Sequence, residues 1–278
     1  MSDGEVADEL IELRGLRFFY RDWAGPAADA PVVVLLHGYT GHARSWDSLA
    51  AALSARFRVL ALDQRGHGQT GWATPDRYDT VEMVDDLEAF VAALGLQRFL
   101  LVGLSMGGIV SFAYAGRRPA ALAKLVIVDI APEIDTLGLE RIRTGVARPD
   151  VFATREDAFA QARADNPVPP EDEHRHRVYH SLMRTADGHF TYRYDRALRD
   201  PANPRKGIPP EAGWKLVASI QVPTLVVRGE DSDIMGAATA QRMVEAIADC
   251  RLVEIAGSGH PVPLDKPMEF RAALDDFL

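Results

Sequence analysis

The chain has 278 residues, is 47% hydrophobic and 26% charged, and carries a formal net charge of −9. Length and balance suit a folded chain with a large core and argue against disorder. The acidic balance argues against nucleic acid or an acidic membrane as partner, and no apolar run approaches the length of a membrane span.

Taken in order, Leu10 to Trp23 reads as two strands turning at Gly15. Pro31 to Leu36 is a continuous apolar run, the pattern of a strand buried on both faces in a parallel sheet. It ends in His37-Gly38-Tyr39-Thr40-Gly41. Trp46 to Leu53 has helical spacing, and Phe57 to Leu62 is a second buried strand, ending in Asp63-Gln64-Arg65-Gly66-His67-Gly68. Asp79 and Glu82 have the spacing of a capping box. The helix they would open has the apolar stripe Val81, Val84, Leu87, Val91 and Leu94, and Gly95 sits where it should stop.

Phe99 to Leu104 is again apolar, and Gly103 to Gly107 spells G-x-S-x-G with Ser105 at its centre. That is the sequence form of a sharp strand-to-helix turn that pushes a serine out at its apex. A helix is expected through Ala115, then a strand from Lys124 to Val128 that ends at Asp129.

The alternation breaks between about Pro132 and Trp214, where Pro149, Pro167, Pro169, Pro170, Pro201, Pro204, Pro209 and Pro210 crowd together. Within it, Glu171 to Ala186 reads as a helix, acidic at its start and with Arg184 near its end. Phe190, Tyr192 and Tyr194 alternate as in a strand. Residues 133–214 are therefore expected to form an inserted lid on a core of residues 1–132 and 215–278. The Arg and His of this segment would suit a carboxylate- or phosphate-binding lid, but acidic residues are about as numerous, which favours a solvated mixed surface.

Alternation resumes with a strand at Val222 to Val227, a helix at Ala237 to Ala248 and a strand at Arg251 to Ile255. Gly257-Ser258-Gly259-His260 follows, and Asp265 is placed to cap a closing helix with Pro267 just inside it. Strands alternating with helices predict an α/β chain with a mostly parallel, doubly wound sheet.

In such a sheet functional groups gather beyond the carboxyl ends of the strands. Those ends here hold His37-Gly38-Tyr39, Ser105, Asp129, Asp231 with Asp233, and His260. A serine hydroxyl needs a histidine to take its proton, and the histidine needs an orienting carboxylate. His260, last in the chain on a glycine-rich loop, is the expected base. The backbone N–H groups of Met106 and Tyr39 are the expected donors to a developing oxyanion. His37 and His67 read as structural, and His174, His176, His180 and His189 as surface residues of the lid. No cofactor or metal is expected: only His176 and His180 have ligand spacing, with no supporting cysteines. Tyr39, Trp46, Met106 and Tyr192 are candidates for an apolar acyl pocket, with plain core packing as the alternative. The single cysteine, Cys250, and the acidic Met1 to Glu5, unlike a signal peptide, fit a cytoplasmic location.

His37 to Gly41, Asp63 to Gly68, Gly103 to Gly107, and Gly259-His260 with Asp265 and Pro267 together resemble the α/β-hydrolase superfamily over nearly the whole chain. The resemblance implies a triad, a two-amide oxyanion hole and a lid after the sixth strand. It also implies a triad acid three residues after a glycine that ends the seventh strand, and there the chain has Ser232. A minority of the superfamily, small bacterial esterases among them, carries the acid after the sixth strand, which here is Asp129 in Val126 to Pro132. Asp129 is the preferred acid, with Asp231 or Asp233 as alternatives.

Serine at the elbow suits acyl transfer, so the expected reaction is hydrolysis of a small-molecule carboxylic ester through an acyl-Ser105 intermediate. Lactones and acyl thioesters use the same machinery. A reading of another class is a ligand-binding or receptor-type relative with slow or absent chemistry. Oligomeric state and natural substrate do not follow from the sequence.

Overall fold

The structure is a computed structural model and describes residues 6–148, 150–200, 202 and 205–278. The acidic start at Met1 to Glu5 and the prolines Pro149, Pro201 and Pro204 lie outside the described residues.

Two antiparallel strands, β1 (Val6–Leu13) and β2 (Leu16–Trp23), open the chain and turn at Arg14-Gly15. Then come β3 (Val32–Leu36), α1 (Asp47–Leu53), β4 (Arg58–Leu62), α2 (Thr80–Ala93), β5 (Phe99–Leu104), α3 (Met106–Gly116) and β6 (Leu122–Val128). The inserted stretch holds α4 (Thr136–Ala147), β7 (Val151–Phe152), α5 (Arg155–Asp165), α6 (Glu171–His180), β8 (Leu182–Arg184) and β9 (Phe190–Tyr192). The chain closes with α7 (Pro210–Ala218), β10 (Thr224–Gly229), α8 (Ala237–Ala246), β11 (Cys250–Ile255), α9 (Val262–Asp265) and α10 (Pro267–Phe277).

The large sheet has the order β1-β2-β4-β3-β5-β6-β10-β11. From β4 to β11 the neighbours run parallel, while β2 pairs antiparallel with both β1 and β4. This is the α/β-hydrolase architecture. Its central strands β3 and β5 are apolar along their length because both faces are covered. In β3, Val34 and Leu36 join the core under α2, α3, α7 and α8, whereas Val33 and Leu35 join the one under α1 and α10. The pleat alone makes that division. No helix among the described residues is long and apolar enough to cross a membrane.

Several local expectations need correction. Asp79 is the residue before α2 but its side chain caps nothing there; its Oδ1 accepts from Lys206 N at 2.7 Å. Glu82, the other half of the expected box, pairs with Arg14 and Arg77. A distant N–H and three guanidinium groups, with Arg65 the third on Glu82, have outcompeted the local motif. The helix expected over Glu171 to Ala186 ends at His180, and Arg184 lies in β8, hairpinned to β9 around Asp187-Gly188 with Gly188 at φ +88°. Tyr194 falls beyond β9, bridged to His67. Asp265 does not cap α10; its carboxylate accepts from Gly259 N at 2.8 Å and Asn166 Nδ2 at 2.7 Å. Helix α7 runs through Trp214 and packs on α3 through Leu216 at Gly116.

Candidate active site

The turn after β5 is shaped by what cannot fit beside it. A Cβ at Gly103 would lie 2.3 Å from Gly107 O, and one at Gly107 would lie 2.4 Å from Leu36 O. Between them Ser105 sits at φ +53°, in the left-handed region that non-glycine residues rarely occupy. Thr40 and Asp129, beyond two other strand ends, also have positive φ, at +61° and +51°, as do Arg14 and Arg118 away from the site. Such strain persists only where the surroundings over-determine the backbone, and it gathers at functional sites.

These bends bring three expected residues together. Ser105 Oγ lies 2.9 Å from His260 Nε2, and His260 Nδ1 lies 2.7 Å from Asp129 Oδ2. An ionised carboxylate only accepts, so Nδ1 carries the imidazole proton and Nε2 is free to accept from the serine hydroxyl. Asp129 is fully buried, and its charge is held by donors: Gly229 N reaches Oδ1 at 3.0 Å, and Ser232 Oγ donates to Oδ2. Ser232 thus stands where the seventh-strand acid was expected and hydrogen-bonds Asp129, which follows the neighbouring strand. Its hydroxyl oxygen accepts from Ile234 N at 3.1 Å, which fixes its rotamer. Asp231 is solvent-exposed, and Asp233 forms an ion pair with Arg141 at 2.7 Å, so neither meets His260.

Tyr39 and Met106 flank Ser105 at the wall of a cavity of about 290 Å³. Ser105, His260, Ile109, Ile134, Ile234 and Arg205 also line it. Neither backbone N–H, of Tyr39 or of Met106, has a protein acceptor among the described residues. Of the other acyl-pocket candidates, Trp46 is buried against Phe270 on the opposite side of the sheet. Tyr192 lines a neighbouring cavity of about 260 Å³ that shares the Tyr39 wall.

The remaining histidines divide by burial. His37 is buried, its Nδ1 donates to Gly38 O at 2.8 Å, and its Nε2 accepts from Gln64 N at 3.0 Å. Burial pushes its pKa down to about 4, so it is neutral and ties the Tyr39 loop to the end of β4. His67 is likewise buried and held well below the ordinary value by desolvation, with Nδ1 donating to Arg65 O. His174, expected at the surface, is buried against Phe159 instead. His176 bonds Asp47 at 3.0 Å, which raises its pKa and pins α6 to α1. Among the described residues no three His, Cys, Asp or Glu side chains gather into a metal-holding group.

The reach of the inserted stretch was not legible. Arg205, from its last part, points its guanidinium to within 4.6 Å of the Tyr39 ring centre. No local pattern marks this arginine among the others of residues 133–214.

Residues 31–267 match the profile of the alpha/beta hydrolase fold. A 3-hydroxybutyrate-oligomer hydrolase of Cupriavidus necator is 29% identical, covering 95% of this chain and 94% of its own. A 2-(acetamidomethylene)succinate hydrolase of Mesorhizobium japonicum is 26% identical, covering 89% of this chain and 88% of its own. Among solved structures, an alpha/beta hydrolase from Novosphingobium aromaticivorans superposes with a TM-score of 0.86 at 31% identity, covering 99% of this chain and 98% of that one.

Proposed function

The chain belongs to the alpha/beta hydrolase fold family, and on that premise we propose that it hydrolyses small-molecule carboxylic esters through an acyl-Ser105 intermediate. The observation that carries the proposal is the unbroken run of hydrogen bonds from Ser105 through His260 to buried Asp129. As Ser105 Oγ bonds to the ester carbonyl carbon, its proton passes to His260 Nε2, and the carbonyl electron pair moves onto oxygen. The N–H groups of Met106 and Tyr39 receive that oxyanion. The tetrahedral species collapses, the bond to the alcohol oxygen breaks, and that oxygen leaves with the proton from Nε2. Water then repeats the sequence: Nε2 takes its proton, its oxygen bonds to the acyl carbon, and Ser105 Oγ leaves reprotonated. Asp129 stabilises the imidazolium in both halves and keeps Nδ1 protonated.

The cavity, at about 290 Å³, is at the small end of ligand sites, which favours short acyl groups. Residues 133–214 act in this reading as a lid, supported by Tyr39 Oη donating to Leu198 O at 3.1 Å across the two parts. A cytoplasmic location belongs to the same reading.

The test is a panel of chromogenic esters graded by acyl length, with lactones and acyl thioesters alongside, and labelling by an organophosphonate. Ester turnover and a label that disappears in Ser105→Ala support the proposal. A lactone or thioester optimum with slow esters moves the substrate class, and absence of both turnover and label favours a ligand-binding relative.

A further inference from the structure

The cavity above Ser105 is lined mainly by isoleucines, Met106 and the Tyr39 ring, with one permanent charge among them, Arg205. A guanidinium offers five donors and no acceptor. The contacts of this one are the face of Tyr39, 4.6 Å away, and Met106 Sδ, 3.6 Å from Nη1. A ring face and a thioether are weak partners, and no carboxylate among the described residues pairs with it. The residue as a whole is exposed to solvent at the cavity's edge, while the protein around its guanidinium head lowers its pKa from the ordinary arginine value by desolvation.

The backbone of the next residue is anchored. Lys206 N donates to Asp79 Oδ1 at 2.7 Å, and Thr80 N donates to Lys206 O at 3.1 Å. This clasp on the start of α2 holds the residue after Arg205 and explains why Asp79 leaves its own helix uncapped. An arginine directed into a reaction cavity with its charge uncompensated is a preformed half of a bidentate ion pair. The other half would come from the substrate.

We propose that Arg205 selects substrates bearing a free carboxylate, so that the natural ester is an anionic one whose charged end pairs with this guanidinium while its acyl carbonyl lies over Ser105. The inference rests on the ester-hydrolase reading for its choice of reaction, but its recognition half does not depend on turnover.

Two matched ligands test it: the glutarate monoester of p-nitrophenol, and the corresponding 5-oxohexanoate ester, in which a methyl ketone replaces the carboxylate. Wild type should favour the carboxylate ester in kcat/KM by roughly ten- to hundredfold, the scale of hydrogen bonds to a charged group. Arg205→Gln should abolish that preference, and Arg205→Lys, with the charge but not the fork, should keep part of it. In parallel, calorimetry on Ser105→Ala measures binding of monomethyl glutarate against methyl 5-oxohexanoate. At least tenfold tighter binding of the carboxylate, lost when Arg205→Gln is added, supports the proposal even if no ester is turned over; the hydrolase reading then fails alone. Equal binding of the two ligands, or a carboxylate preference that survives in Arg205→Gln, overturns it whatever the turnover.

Discussion

The cavity has two halves built by different means. Its floor comes from strand ends, where Ser105, Asp129 and the His37–Gly41 loop are placed by backbone geometry and by glycines that admit no side chain. In the proposed lid reading its roof comes from residues 133–214, held by scattered side-chain bonds: Asp79 to Lys206, Asn166 to Asp265, Asp47 to His176, Ser48 to Glu173. A floor set by the main chain tolerates little variation, whereas a roof set by single side chains can be retuned one bond at a time. Chemistry should therefore be sensitive to the floor and substrate choice to the roof.

The sharpest way to break this contrast is at the acid. Asp129→Asn should cost roughly 10⁴-fold in turnover, because the amide favours the wrong imidazole tautomer. Asp231→Asn, on an exposed side chain, should stay within about twofold of wild type, a surface-substitution effect. Chromogenic-ester kinetics on folded proteins decide between them, and a near-normal Asp129→Asn enzyme would remove the acid from its assigned role.

Ser232→Ala sharpens the same comparison from the neighbouring strand. It leaves Asp129 with His260 and Gly229 N but removes one donor from Oδ2. An outer partner of this kind sets the orientation of an acid that is itself intact. A fall in kcat of about tenfold is expected, at the scale of a neutral donor lost from a charged acceptor. KM should hardly move, and a loss confined to KM would contradict this placement.

On the roof the pattern should invert. Asp79→Ala removes the acceptor for Lys206 N while costing α2 no cap, since Asp79 provides none. A rise in KM of about three- to tenfold with little change in kcat is expected, the signature of lost uniform binding. Faster amide exchange at Lys206 should accompany it; equal losses in kcat would mean that the roof also serves the chemistry.

The same division governs what the sequence discloses. Continuous apolar runs and G-x-S-x-G mark strands and elbow because each is a local, backbone-level requirement. His260, the histidine beside Ser105, could be picked out by chain order, and Ser232 where a carboxylate was due pointed to Asp129 as the alternative. That Ser232 would donate to Asp129, 103 residues away, was not, since strand adjacency decides it. The capping-box spacing at Asp79 misled because a tertiary N–H took the carboxylate. The hairpin at β8 and β9 did have a signal, Asp187-Gly188, overlooked beneath a helical charge pattern. Arg205 had none: a single arginine in a proline-rich stretch gains meaning only from the cavity it enters.

A final, smaller effect probes the roof's own packing. His174 was expected at the surface, but it is buried on Phe159, and desolvation lowers its pKa to about 4. Unfolded, it takes up a proton below about 6.5; folded, it resists until about 4. Across that window the unfolded state binds more protons, so this histidine makes stability rise with pH, with its contribution present above 6.5 and lost as pH falls. His37, His42 and His67 act in the same sense, while buried Asp63, raised to about 7, acts oppositely. His174→Phe should therefore flatten the dependence of unfolding free energy on pH between 4 and 6.5 by up to about one proton, and leave the slope above pH 7 unchanged. Urea titrations across that range measure it, and an unaltered acid slope would mean that His174 is hydrated in solution and that the roof opens there.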